Sequence, residues 1–123
     1  MSGRNVVDSS AWLEYLADTK EAIHFAAALE DTENLIVPVI TVYEVFKKIL
    51  RERGENQALQ VVAQMQGGTV VDITQPLALE AAHLRLPLAD SIIYATATQS
   101  GATLWTQDEH FKDLPRVNYF PKL

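Results

Sequence analysis

Residues 86–111, LPLADSIIYATATQSGATLWTQDEHF, decide how the chain folds. The stretch from Leu86 to Gly101 is apolar almost throughout and reads as a buried helix, with one carboxylate, Asp90, at its head. Gly101 closes it, and ATLWT (102–106) reads as a strand. Asp108 follows at once, opening the short helical turn DEHFKDL. A buried helix feeding a short apolar strand is the unit from which parallel α/β sheets are built. The acid at the helix head has two explanations. It caps the helix, or it joins acids elsewhere in the chain to hold a metal.

Outward from this stretch the same alternation repeats. NVVD (5–8) reads as a strand, and SSAWLEYLAD (9–18) as a helix whose Ser-Ser start suits an N-cap. KEAIHFAAALE (20–30) reads as a further helical stretch, with Ile23, Ala26 and Ala27, joined by Phe25 or Leu29, on its apolar side. NLIVP (34–38) is a strand that Pro38 ends. VITVYEVFKKILRERG (39–54) is the clearest helix, with Val42, Val45, Phe46, Ile49 and Leu50 at helical spacing and Gly54 after it. NQALQVVAQMQGG (56–68) is a helix stopped by a Gly pair, and TVVDI (69–73) a strand. PLALEAAHLRL (76–86) is a helix with Pro in its first turn, and RVNYF (116–120) the last strand. Strands separated by helices imply right-handed crossovers and a parallel sheet covered on both faces.

The bulk composition sets limits. A chain of 123 residues is expected to form a single domain over 1–123, and 48% apolar residues suffice for a core. No apolar run approaches the ~20 residues of a membrane span, and the opening MSGRNVVDSS lacks the basic-then-apolar order of a secretory leader. With no cysteine, disulfides, thiolate zinc sites and thiol nucleophiles are excluded, and a cytoplasmic location is expected. A net charge of −6 counts against a surface that coats nucleic acid broadly. It leaves room for a compact site in which a metal supplies the positive charge.

Ligand sites in parallel α/β sheets lie at the carboxyl ends of the strands. Asp8 ends the first strand and Asp108 follows the fourth. Glu44 lies near the start of the helix after the second strand, and Asp90 at the start of the helix leading to the fourth. Each has a plain alternative. Asp8 and Asp90 can cap helices, Asp108 can be an ordinary loop or cap residue, and Glu44 can face solvent or pair with Lys47 or Lys48. If the acids converge, a cation is needed. Two unit charges ~6 Å apart repel by roughly 3 kcal/mol at an effective dielectric constant of ~20. An all-carboxylate donor set suits Mg²⁺ or Mn²⁺, ions that activate water and stabilise in-line displacement at phosphorus.

These residues carry a resemblance. NVVDSSAWLEYL, VPVITVYEVFKKIL, LPLADSIIYATATQSGATLWTQDEHF and RVNYF resemble the PIN-domain family, most of all its VapC-type toxins of toxin–antitoxin pairs. The most specific part is 86–111: an Asp-headed helix of small residues, Gly, a short strand, then Thr-x-Asp. The resemblance implies a three-layer α/β/α sandwich around a central, mainly parallel sheet. It matches Asp8, Glu44, Asp90 and Asp108 to the family's acidic quartet, Thr106 to its hydroxyl position, and Ser9 or Ser10 to the small polar position after the first acid. The implied activity is Mg²⁺- or Mn²⁺-dependent endoribonucleolytic cleavage. The implied partners are RNA, a second copy of the chain and a VapB-like antitoxin. In the mechanism so implied, Asp8, Glu44 and Asp90 hold the ion, Asp108 completes the negative pocket, and Thr106 orients Asp108 or a water. One departure stands out: AAHLRLPLAD (81–90) is shorter than the family usually carries, which affects the cleft wall near His83 and Arg85.

Other residues have two readings each. Lys47, Lys48 and Arg51 share a helix face near Glu44 and meet phosphates or an antitoxin's acids, or are a solvated helix end. His24, His83 and His110 show no metal-ligand spacing and read as structural or solvated, His110 being nearest the acids and able to approach substrate. Trp12, Tyr15 and Leu16 pack in the core or line a partner groove, and Asp72 is an ordinary strand-end acid. The competing functions are a PIN nuclease of RNA or DNA processing without a toxin role, a binding module without turnover, and a phospho-acceptor receiver domain. The receiver reading is weak, because NVVDSS offers one acid where a pair is needed and Lys112 follows Asp108 too closely.

Overall fold

Neighbouring residues Val6 and Val7 are both fully buried, in two different hydrophobic clusters, as a strand covered on both faces requires. The computed structural model describes residues 3–123; Met1 and Ser2, the first residues of the opening segment read above, lie outside them. β1 (Arg4–Val7) is the central strand, flanked by β2 (Leu35–Pro38) and β4 (Ala102–Thr106). β3 (Thr69–Val71) and β5 (Val117–Tyr119) form the edges, giving the order β3-β2-β1-β4-β5 with every pair parallel. The register sets Val6 beside Ile36 and Leu104, and Val7 beside Trp105. The period of two then sorts the side chains, with Val6, Ile36 and Leu104 on one face and Val7, Leu35, Val37 and Trp105 on the other.

The Val7 face is covered by α1 (Ser9–Leu16), α2 (Ala26–Glu30), α3 (Val39–Arg53) and α4 (Glu55–Met65), which contribute Trp12, Leu29, Val45 and Met65 to one cluster. The Val6 face is covered by α6 (Leu88–Gln99) through Ile93 and Ala97, and α5 (Gln75–Ala82) packs against α6 through Leu77 and Ala81. The result is the three-layer α/β/α sandwich. The small residues of α6, Ala95, Thr96 and Ala97, are buried, so this helix lies close to its neighbours. No helix among the described residues is long and apolar enough to cross a membrane.

Three expectations change. Residues 20–30 are not one helix: a 3-10 turn, Lys20–His24, breaks at Phe25 before α2 begins. The break shifts the buried phase to Ala22, Phe25, Ala28 and Leu29, and leaves Ile23 78% exposed. The helix expected over 76–86 ends at Ala82, and His83 and Arg85 lie exposed in the connection to α6. Leu50, expected on the apolar face of α3, is exposed near its C-terminal end.

Candidate active site

The strand order reverses direction between β1 and β4, since the chain builds outward from β1 to β3 and then returns to the other side. A crevice opens at the carboxyl ends of strands at such a switch point. Asp8 leaves β1 there, and its main-chain N–H still donates to Trp105 O at 3.1 Å, extending the β1–β4 ladder into the site. Thr106 ends β4, and Asp108 follows it. Glu44 enters from the second turn of α3 and Asp90 from the first turn of α6. The four acids line one cavity of about 440 Å³ together with Ser9, Ser10, Lys47, Lys48 and Arg51. Within it they are not equally close. Asp90 and Asp108 offer oxygens that, with a ring nitrogen of His110, lie within 4.8 Å of one another, while Asp8 and Glu44 stand outside this tightest group.

Asp8 is held by three donors. Its Oδ1 caps α1 by accepting from Ala11 N at 3.0 Å, Ser10 Oγ reaches both oxygens at 3.1 and 3.2 Å, and Thr106 Oγ1 donates to Oδ2 at 2.7 Å. Despite these donors, burial pushes the carboxyl up to about 6, helped by the charge of Asp108. Asp8 is only 3% exposed, so desolvation outweighs hydrogen bonding. Asp90 is likewise raised to about 6, first by burial and then by the charge of Asp108, with His110 acting in the opposite direction. It does not cap its helix: the N-cap of α6 is Pro87, without a side-chain bond, and Asp90 lies in the first turn, where the helix dipole favours an anion. Glu44 Oε1 accepts from Ser9 Oγ at 2.5 Å, whereas Lys48 pairs with Glu52 at 2.9 Å and Lys47 reaches Tyr43 OH at 3.3 Å. Asp108 accepts from His110 N and so caps the 3-10 turn Glu109–Phe111.

Thr106 does more than its expected task. Its Oγ1 accepts from Asp108 N at 2.9 Å while donating to Asp8, so one fully buried hydroxyl ties the carboxyl ends of β1 and β4 together. The acid that its hydroxyl orients is Asp8; Asp108 is held through its main chain. Thr106→Val keeps the shape but takes from Asp8 Oδ2 its shortest donor, leaving only the longer Ser10 bond, and strands the Asp108 N–H. A loss of about 1–3 kcal/mol is expected in urea unfolding, with Thr106→Ser recovering most of it. A change near zero for the valine variant would show that the bridge carries no stability.

Sequence reasoning underestimated His110. Its Nδ1 lies 2.7 Å from Asp108 Oδ1 and 3.3 Å from Asp90 Oδ2. The signal was the Asp-x-His spacing inside a helical turn, which folds the ring back over the acid. His83, Arg85 and Asp72 do not line the cavity, and Trp12 is buried in the core as the default reading held. Tyr15 is partly buried and donates to Glu30 at 3.0 Å.

A model of the PIN domain matches residues 6–117. No curated protein matches the chain by sequence. Among solved structures it is similar to a toxin–antitoxin complex from Klebsiella pneumoniae, at 23% identity and a TM-score of 0.79, covering 98% of this chain and 100% of that one. It is also similar to DNA-bound VapBC from Salmonella typhimurium, at 15% identity and a TM-score of 0.73, covering 98% of each chain. A third is VapC20 of Mycobacterium tuberculosis, a sarcin–ricin loop cleaving toxin, at 15% identity and a TM-score of 0.73, covering 92% and 96%. At these identities the likeness is one of fold.

Proposed function

The chain belongs to the PIN-domain family, and we propose that it is a divalent-metal-dependent endoribonuclease acting as the toxin of a VapBC-type pair. The observation that carries the reading is the convergence of Asp8, Glu44, Asp90 and Asp108 on one cavity, with two of them raised to about 6. Among the described residues, the one basic group in contact with these crowded, desolvated carboxyls is the His110 ring, so four acids are left short of positive charge. A hard divalent cation, Mg²⁺ or Mn²⁺, fits that deficit and the oxygen-rich donor set. Asp8, Asp90, Asp108 and Glu44 are the residues that would hold it. Bound there, the ion supplies charge that lowers the pKa of water and offsets charge developing on phosphoryl oxygens.

The remaining residues prepare the site for a phosphodiester. Thr106 and Ser10 fix the Asp8 carboxylate, and Ser9 fixes Glu44, so neither acid has to reorganise when substrate arrives. Lys47, Lys48 and Arg51 border the same cavity from α3 and supply cations for the phosphates flanking the scissile bond. Tyr43, exposed beside Lys47, offers a ring on which an unstacked base can lie. A narrow basic rim on a chain of net charge −6 suits recognition of one RNA loop better than sliding along a duplex.

The partners in this reading are a VapB-like antitoxin that silences the chain and a second copy of the chain. Two of the similar structures are a toxin–antitoxin complex and a DNA-bound VapBC, which supports the first of these. The toxin and its RNA target then meet in the cytoplasm.

The test is cleavage of cellular RNA by the purified chain, freed of any antitoxin, with Mg²⁺, Mn²⁺ or EDTA. Cleavage at few sites is expected with either metal and none with EDTA. A folded chain that binds no divalent ion and cuts nothing would return the binding-module reading to the front.

A further inference from the structure

His110 is the one nitrogen donor in the tightest part of the acidic cluster. The turn that carries it sets where its ring lies. Phe111, fully buried, anchors the 3-10 turn, and both the main-chain N–H and the ring Nδ1 of His110 meet Asp108 Oδ1, at 2.9 and 2.7 Å. The same Nδ1 is 3.3 Å from Asp90 Oδ2. Ligands around a six-coordinate divalent ion at ~2.2 Å lie about 3–4.5 Å apart. The mutual distances of these three groups, all within 4.8 Å, therefore ask for little movement. The ring's side chain is 55% exposed, so it has room to turn its nitrogen from the hydrogen bond to an ion. Asp108 keeps its main-chain bond meanwhile.

We propose that His110 is a further metal ligand, joining Asp90 and Asp108 in a mixed nitrogen–oxygen site that favours Mn²⁺ over Mg²⁺. This rests on the metal-site reading above and adds a selectivity to it. Imidazole suits transition metals, whereas Mg²⁺ prefers oxygen donors and sheds water reluctantly. A fifth acid at this place would keep the donor set all oxygen, which suits Mg²⁺. A nitrogen shifts the preference toward Mn²⁺.

The experiment is calorimetric titration of the EDTA-stripped wild type and His110→Ala with Mg²⁺ and with Mn²⁺, beside pulsed electron paramagnetic resonance of the Mn²⁺-loaded proteins. The exposed ring supports no core residue, so the variant should fold, which circular dichroism checks. Mn²⁺ affinity should fall about ten-fold or more in the variant, the loss typical even for an indirect partner of a ligand. Mg²⁺ affinity should change little, and a nitrogen modulation present in wild-type Mn²⁺ spectra should vanish. Equal binding in both proteins, or an equal loss for both metals without a nitrogen modulation in the wild type, would overturn the proposal. A wild type that binds neither metal would overturn the metal site itself, a different failure.

Discussion

Asp8→Asn should cost at least ~10²–10³-fold in RNA cleavage, the scale of losing one preorganised electrostatic group, while the fold persists. The expectation follows from the two tasks that Asp8 combines. One oxygen caps α1 through Ala11 N, and the other takes the Thr106 hydroxyl and faces the cavity. An asparagine can keep the cap, because its amide oxygen accepts as the carboxylate does. It cannot keep the charge, and its NH₂ group cannot accept the hydrogen that Thr106 Oγ1 donates to Asp8. Structure is thereby separated from chemistry: far-ultraviolet circular dichroism should be unchanged while turnover goes. Asp90→Asn should behave similarly, since Asp90 caps nothing and its removal leaves no orphaned helix end. Measured cleavage by either variant within a few-fold of wild type would place the chemistry elsewhere in the molecule.

Why these acids could be singled out from sequence, and others could not be placed, is a question of local against long-range information. The strands are short, apolar and bounded by turn residues, so β1, β2 and β4 sit within a residue of the spans expected. Asp8 and Asp108 then fall at strand ends by chain position alone. The 20–30 segment is different, because its apolar residues fit two helical phases. The break at Phe25 chose the one that buries Phe25 and exposes Ile23. Neither phase is preferred by propensity; the fit of Phe25 against Phe120, with rings 5.8 Å apart, comes from the far end of the chain. Thr106 shows the same limit. Its partner is Asp8 because the register pairs Val7 with Trp105, a contact 98 residues long in sequence. His110 needed only a local turn, but the weight given to spaced His pairs hid a His beside an acid.

The acids should also leave a mark on stability, and its sign is fixed. The folded chain holds the Asp8 proton up to about 6, whereas the ordinary value is 3.8. Between these limits the folded state binds a proton that the unfolded state has released. The stability this contributes is full below pH 3.8, falls as pH rises through about 6, and is gone above about 7. For a shift of this size the fall is on the order of 3 kcal/mol. Asp90 acts in the same direction, but it is less deeply buried than Asp8 and solvent screens it more, so its share is smaller. In urea unfolding of EDTA-treated protein, the difference between wild type and Asp8→Asn isolates this term from the other carboxylates. Wild type should lose ground to the variant steadily from pH 4.5 to 7. Mg²⁺ should restore wild type at pH 7.5 and do little at pH 5, where protons compete for the same oxygens. Parallel curves for the two proteins would mean that Asp8 is ionised at no cost in the folded chain, and that its crowding creates no demand for a cation. On the metal reading proposed above, the same direction serves binding. A residue kept only for capping would gain nothing from being placed where its charge is unfavourable; a metal ligand in the same place is stabilised when the cation arrives.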